Sequence, residues 1–109
     1  MTVRHADPST FDAIVAEPGK LLCFYFWGDD CPNCEIFARD LPELLPELPA
    51  GVEVVKVNAY EHVELARRFG IAGIPAFVLF KDGRKLGMMR QYHGREYWKT
   101  VLTEQAAGA

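Results

Sequence analysis

The chain has 109 residues, half of them hydrophobic and a quarter charged, with a formal net charge of −3. That length suits one domain over residues 1–109 built on one core, and the composition is that of an ordinary globular protein. The absence of a basic block argues against a nucleic-acid binder or a membrane-surface helix, and no apolar run approaches the ~20 residues of a membrane span.

Val3-Arg4-His5 reads as a short edge strand. Asp7 is placed as an N-cap and Pro8 as the first residue of a helix with the apolar stripe Phe11, Ile14 and Val15; Pro18-Gly19 ends it. The run from Lys20 to Trp27 is apolar on both faces, as a central strand should be. A helix is expected from Cys31 or Pro32 to about Asp40. Pro42 removes a donor and crowds the preceding turn, so a break and restart is expected at Asp40-Leu41-Pro42-Glu43, with Asp40 and Glu43 as a capping pair. Leu41, Leu44, Leu45 and Leu48 keep an apolar face there, while Pro46 and Pro49 make the stretch irregular. Val52 to Asn58 is rich in β-branched residues and reads as a strand. Glu61 to Phe69 is helical, with Val63, Leu65, Ala66 and Phe69 available to pack and Gly70 as the stop. Ala76 to Phe80 and Lys85 to Tyr92 form a hairpin around Asp82-Gly83, and Arg95 to Ala106 carries Tyr97, Trp98, Val101 and Leu102 at helical spacing. The order is βαβαβαββα: an α/β fold with a mixed central sheet flanked by helices, parallel in its early strand–helix–strand units and antiparallel in its late hairpin.

The chemistry concentrates in Cys31-Pro32-Asn33-Cys34, where a strand hands over to a helix. Helical positions three apart share a face, and their Cα separation falls within the range a disulfide needs. The first thiol sits at the helix N-terminus, where free N–H groups and the dipole favour an anion. Cys31 is therefore the candidate nucleophile for thiol–disulfide exchange and Cys34 the shielded second thiol. Pro32 presets φ for the first turn at little cost in hydrogen bonds. Asn33 either donates toward the thiolate or is a solvated helix residue, and Trp27 either shapes a docking surface or closes the core. Cys23 is left over from the three cysteines and reads as a small buried hydrophobe, with a second redox role as the alternative. Met1 to Asp7 shows no apolar segment of signal-peptide type, so a cytoplasmic location is expected, where a close cysteine pair is catalytic or metal-binding more often than structural.

This layout resembles the thioredoxin family over nearly the whole chain. The resemblance is carried by Phe26-Trp27 before the cysteine pair, Lys56 in the third strand, Arg68-Phe69-Gly70-Ile71, Gly73-Ile74-Pro75 and Phe80-Lys81-Asp82-Gly83. It implies a reductase of protein disulfides, redox-active through the Cys31–Cys34 disulfide, with no bound cofactor and no metal. The implied partners are protein disulfide substrates and a thioredoxin reductase or other electron donor; no nucleic acid or membrane is involved, and a monomer is expected. It also implies that Pro75 is preceded by a cis bond beside the cysteines and that the Ile74 backbone offers hydrogen bonds to an extended substrate segment.

The sequence departs from that family in several places. Pro-Asn stands between the cysteines where Gly-Pro is common, and proline after the first cysteine looks more like glutaredoxins and disulfide oxidases. Asp29, Asp30 and Glu35 crowd the motif with negative charge, which opposes the helix terminus in setting the Cys31 pKa. Tyr25 occupies the position of the family's buried aspartate, so the expected internal base is missing and Lys56 has lost its partner. Two alternatives follow: glutaredoxin-like or oxidase-like exchange, and a non-enzymatic docking module on the same fold. A zinc site needs four ligands, and one cysteine pair with His5, His62 and His93 scattered does not supply them in one chain.

Overall fold

The computed structural model describes residues 3–108. Its element order is β1 (Arg4–His5), α1 (Phe11–Val15), β2 (Leu21–Trp27), α2 (Pro32–Leu44), a 3-10 turn (Leu45–Glu47), β3 (Val52–Asn58), α3 (Val63–Arg68), β4 (Ala76–Lys81), β5 (Arg84–Met89) and α4 (Arg95–Ala107). The five strands form one sheet in the order β1-β3-β2-β4-β5. β3 pairs in parallel with β1 and β2, while β4 runs antiparallel to both β2 and β5. The expected mixed sheet and chain order are therefore those observed.

Strand β2 is the centre of the fold, and its side chains alternate between two cores. Leu22, Phe24 and Phe26 face a cluster with Phe11, Ile14, Val55, Val57, Leu65 and Val78, on the side of α1 and α3. Leu21, Cys23 and Tyr25 face a second cluster with Phe37, Leu41, Leu44, Phe77, Trp98 and Leu102, on the side of α2 and α4. Burial on both faces is why β2 reads as a continuous apolar run and not as an alternating one.

Four boundaries differ from the sequence expectation. Asp7 does cap: its carboxylate accepts from the Ser9 N–H at 2.8 Å and the Thr10 N–H at 3.0 Å. The segment it caps is a turn, however, and α1 itself begins at Phe11. Helix α2 does not break at Asp40; it runs unbroken through Pro42. Its buried face continues on both sides of the proline through Phe37, Leu41 and Leu44, so packing on the sheet outweighs one lost hydrogen bond. Helix α3 starts at Val63, because the Asn58 side chain accepts from the N–H groups of Tyr60 and Glu61, at 3.1 Å each, and holds that stretch as a turn. Strand β5 stops at Met89, short of Tyr92. Tyr92 instead donates its hydroxyl to Asp40 of α2 at 2.5 Å, which pulls the chain off the sheet.

Candidate active site

The C-terminal end of β2 delivers the chain through Gly28, Asp29 and Asp30 to the start of α2. Cys31 is the N-cap of that helix, in extended conformation (φ −120°, ψ 98°), and Pro32 occupies the first turn. The Cys34 N–H points back at Cys31 Sγ, 3.2 Å away, as N-cap geometry requires. Cys31 and Cys34 are joined as a disulfide with a Cα separation of 5.2 Å. When the pair is reduced, that N–H and the helix dipole both favour a Cys31 thiolate. The residues themselves are well covered, Cys31 being 7% and Cys34 4% exposed.

The Ile74–Pro75 peptide bond is cis. It brings the Ile74 carbonyl oxygen to 3.6 Å from Cys31 Sγ, although the two residues lie 43 positions apart in sequence. A groove of about 510 Å³ opens beside this contact, walled by Cys31, Pro32, Asn33, Tyr60, Gly73 and Ile74 among others. Asn33 is exposed on that wall, and its side chain makes no hydrogen bond among the described residues. Pro75 itself is buried behind Ile74.

On the other side of the cysteines lies a smaller cavity of about 220 Å³, bordered by Tyr25, Trp27, Cys34, Glu35 and Lys56. The Lys56 ammonium sits 4.8 Å from the centroid of the Trp27 ring, a cation–π distance. Among the described residues it forms no ion pair. Tyr25 is 2% exposed and packs between Phe37 and Phe77, with ring centroids at 4.7 and 5.5 Å. Its hydroxyl donates to the Cys34 carbonyl oxygen at 3.3 Å. Burial pushes the Tyr25 phenol up to about 12, so it is neutral and holds its proton at physiological pH. Cys23 lies fully buried on the same face of the sheet, and burial raises its thiol far above the ordinary value.

The structure thus gathers Cys31, Pro32, Asn33, Cys34, Ile74 and Pro75 where the inner strand β2 ends and β4 begins, with Trp27 and Lys56 behind the cysteines. Sequence reasoning gave no site role to the groove residues Tyr60, Val63 and Arg67. Tyr60 and Val63 are apolar surface residues, 62% and 41% exposed. Gly28 is needed for close approach, since a Cβ there would come within 2.6 Å of the Tyr60 ring and 2.8 Å of Ile74. The one available signal was Asn58, whose turn-forming side chain directs Tyr60 out of the strand.

Among the described residues no group of three or more metal-ligating side chains is present, and no helix is long and apolar enough to cross a membrane. A close pair of cysteines at disulfide distance is a redox centre that needs no bound group. The comparisons agree with this chemistry. The thioredoxin family model matches residues 2–104. The chain is 30% identical to a thioredoxin of Haemophilus influenzae over 82 residues, covering 75% of this chain and 77% of that protein. It is 32% identical to thioredoxin 1 of Nostoc over 81 residues (74% and 76%), and 33% identical to thioredoxin 1 of Synechococcus elongatus over 78 residues (72% and 73%). With its Cys31–Cys34 redox pair, its mixed sheet and these relatives, the chain belongs to the thioredoxin family and is a thiol–disulfide oxidoreductase.

Proposed function

We propose that the chain reduces protein disulfides as a single-domain monomer in a reducing compartment such as the cytoplasm, with Cys31 as nucleophile and Cys34 as resolving thiol. The observation that carries the assignment is that Cys31 borders the open groove and caps the helix, whereas Cys34 lies one turn inside and does not border the groove. The Cys31 thiolate attacks one sulfur of a substrate disulfide; a Cys31–substrate disulfide forms, and the first substrate sulfur leaves as a thiolate that takes a proton from solvent. The Cys34 thiolate then attacks Cys31 Sγ, the mixed disulfide breaks, and the second substrate sulfur leaves. Two electrons have passed to the substrate, and the Cys31–Cys34 disulfide is restored. A reductase or external dithiol returns two electrons to that pair.

Ile74 and Pro75 support the docking of an extended substrate segment in this reading, since exposed Gly73 and half-buried Ile74 border the groove beside Cys31. Trp27 and Lys56 act behind the pair. Tyr25 is neutral, so Cys34 loses its proton through water in the cavity it shares with Lys56 and Glu35, whose 220 Å³ exceeds the ~30 Å³ that one water occupies in the liquid. Resolution by Cys34 is then slower than in a relative with an internal carboxylate.

The test is turnover of insulin disulfides with dithiothreitol as reductant. Wild-type protein turns over, Cys31→Ser is inactive, and Cys34→Ser accumulates a mixed disulfide. Full turnover by Cys31→Ser overturns the assignment. Support of turnover by a thioredoxin reductase, and not by glutathione, identifies the electron donor.

A further inference from the structure

The groove beside Cys31 carries side chains of both charge signs on its wall. At the cysteine end stands Asp30, exposed and directly ahead of the nucleophile. Tyr60 and Val63 give the wall an apolar stretch open to solvent, and a Cβ on Gly28 would meet both Tyr60 and Ile74, so this stretch starts beside the Cys31–Ile74 contact. Arg67 stands one helical turn beyond Val63, in the last turn of α3. Among the described residues it is the one cation on the groove wall.

Arg67 also differs from the cation beside it. Arg68, its neighbour in the same helical turn, pairs with Asp12 at 2.9 Å. Among the described residues, Arg67 forms neither an ion pair nor a side-chain hydrogen bond. A favourable last-turn charge for the α3 dipole needs only one such cation, and Arg68 supplies it. Arg67 is left as an open guanidinium on the wall of the groove that also borders the reacting sulfur. A guanidinium with five donors and no internal acceptor is complementary to a carboxylate.

We propose that Arg67 selects the substrate: the groove prefers a disulfide-bearing segment with an acidic side chain a few residues from its reacting cysteine and an apolar residue between them. This rests on the reductase reading above and names the class of protein disulfide it takes. The residues next to the substrate cysteine meet Asp30, so a carboxylate placed there is disfavoured. Selectivity therefore depends on register, and not only on net charge.

The experiment uses homodimers of a short neutral peptide joined through one cysteine, with glutamate or glutamine stepped from one to four positions on either side. The readout is the ratio of kcat/KM for the glutamate peptide to that for its glutamine twin, which cancels any general loss of activity in a variant. The expected ratio is about three- to fivefold at one or two adjacent registers away from the cysteine at low salt, and it shrinks as ionic strength rises. In Arg67→Glu the ratio at that register falls below one, and in Arg67→Lys it stays above one. Equal rates for every glutamate–glutamine pair, or a preference that survives in Arg67→Glu, overturns the selectivity while leaving the reductase reading intact. Failure of the wild-type protein to reduce even the glutamine peptides overturns the reductase reading, and the selectivity with it.

Discussion

The hydroxyl of Tyr25 donates to the main-chain carbonyl of Cys34 across 3.3 Å, placing a neutral phenol where thioredoxins carry a buried acid. The phenol closes the first turn of α2 from below, and its ring stacks on Phe77 at an interplanar angle of 18°. This part of the molecule is held by ring packing and one hydrogen bond. The consequence is structural support for the cysteine pair without a proton acceptor inside the core.

Two substitutions separate those roles. Tyr25→Phe removes one hydrogen bond and keeps the ring, so it lowers stability by about 1 kcal/mol and leaves the resolution rate unchanged. Tyr25→Asp creates a cavity and buries a carboxylate among Phe37 and Phe77, at a cost on the order of 3–5 kcal/mol. Where it still folds, it supplies an internal base and accelerates attack by Cys34. Denaturant unfolding gives the stabilities, and stopped-flow tryptophan fluorescence gives the rates. A slower resolution step in Tyr25→Phe would show that the phenol takes part in the proton transfer.

Cys23 presents a simpler case. It is fully buried, and burial raises its thiol far above the ordinary value, so it contributes no thiolate in the native state. An aromatic disulfide reagent added to the native oxidised protein should find no reactive thiol, and added in denaturant should find one. After reduction the native protein should show two reactive thiols and the unfolded protein all three. Reaction of Cys23 in the native oxidised protein would contradict its packing between β2 and the α2–α4 layer. Cys23→Val keeps an apolar side chain of similar size and should cost less than about 1.5 kcal/mol, whereas Cys23→Ser strands a hydroxyl and should cost about 1–3 kcal/mol.

How much of this was legible beforehand depends on the range of the interaction. The cysteine pair, its helix start and the Asp82-Gly83 hairpin are local, and the residues themselves carry the signal. Pro42 misled because its local cost is real, while the apolar face of Phe37, Leu41 and Leu44 that overrides it is a tertiary fact. Tyr92 misled for the same reason: it fits a strand, but Asp40 claims its hydroxyl from 52 residues away. The groove was half visible. Ile74 and Pro75 could be placed by family resemblance, whereas Tyr60, Val63 and Arg67 reach it only because the Asn58 turn and the short α3 aim them there.

The edge of the sheet carries a four-member ion network with a definite pH dependence. Arg4 of β1 bonds Glu17 at 2.7 Å and Glu53 at 2.6 Å, and Lys20 joins both carboxylates at 3.2 and 3.1 Å. The Arg4 guanidinium holds Glu17 well below the ordinary carboxylate value of 4.5, at about 2, and lowers Glu53 as well. A carboxylate whose pKa is depressed on folding contributes stability above its unfolded value and loses it as pH falls through its folded value. The contribution is therefore complete above about 4.5 and is lost between there and about 2. Thermal unfolding of wild type should show a steeper fall in Tm over that window than Glu17→Gln/Glu53→Gln. The two proteins should converge at the acid end, and added salt should narrow their difference at neutral pH. Parallel Tm curves across the window would mean that the network adds nothing to stability.

The poise of the redox pair turns on Asp29 and Asp30. Asp30 holds the left-handed region at φ +54°, a conformation that aspartate and asparagine tolerate better than most residues. Asp30→Asn therefore removes the charge and keeps the backbone, which makes it a clean electrostatic probe. A like charge one residue from Cys31 disfavours its thiolate, so Asp30→Asn should make that thiolate easier to form, and Asp29→Asn/Asp30→Asn more so. The thiolate belongs to the reduced form, so its stabilisation shifts the couple toward oxidant, away from the roughly −270 mV of a reducing thioredoxin and toward the roughly −120 mV of a disulfide oxidase. Alkylation rate against pH for the reduced protein gives the first quantity, and equilibration with a glutathione buffer gives the second. If the pKa falls and the potential does not rise, Cys34 or the oxidised form compensates, and the aspartates do not set the poise.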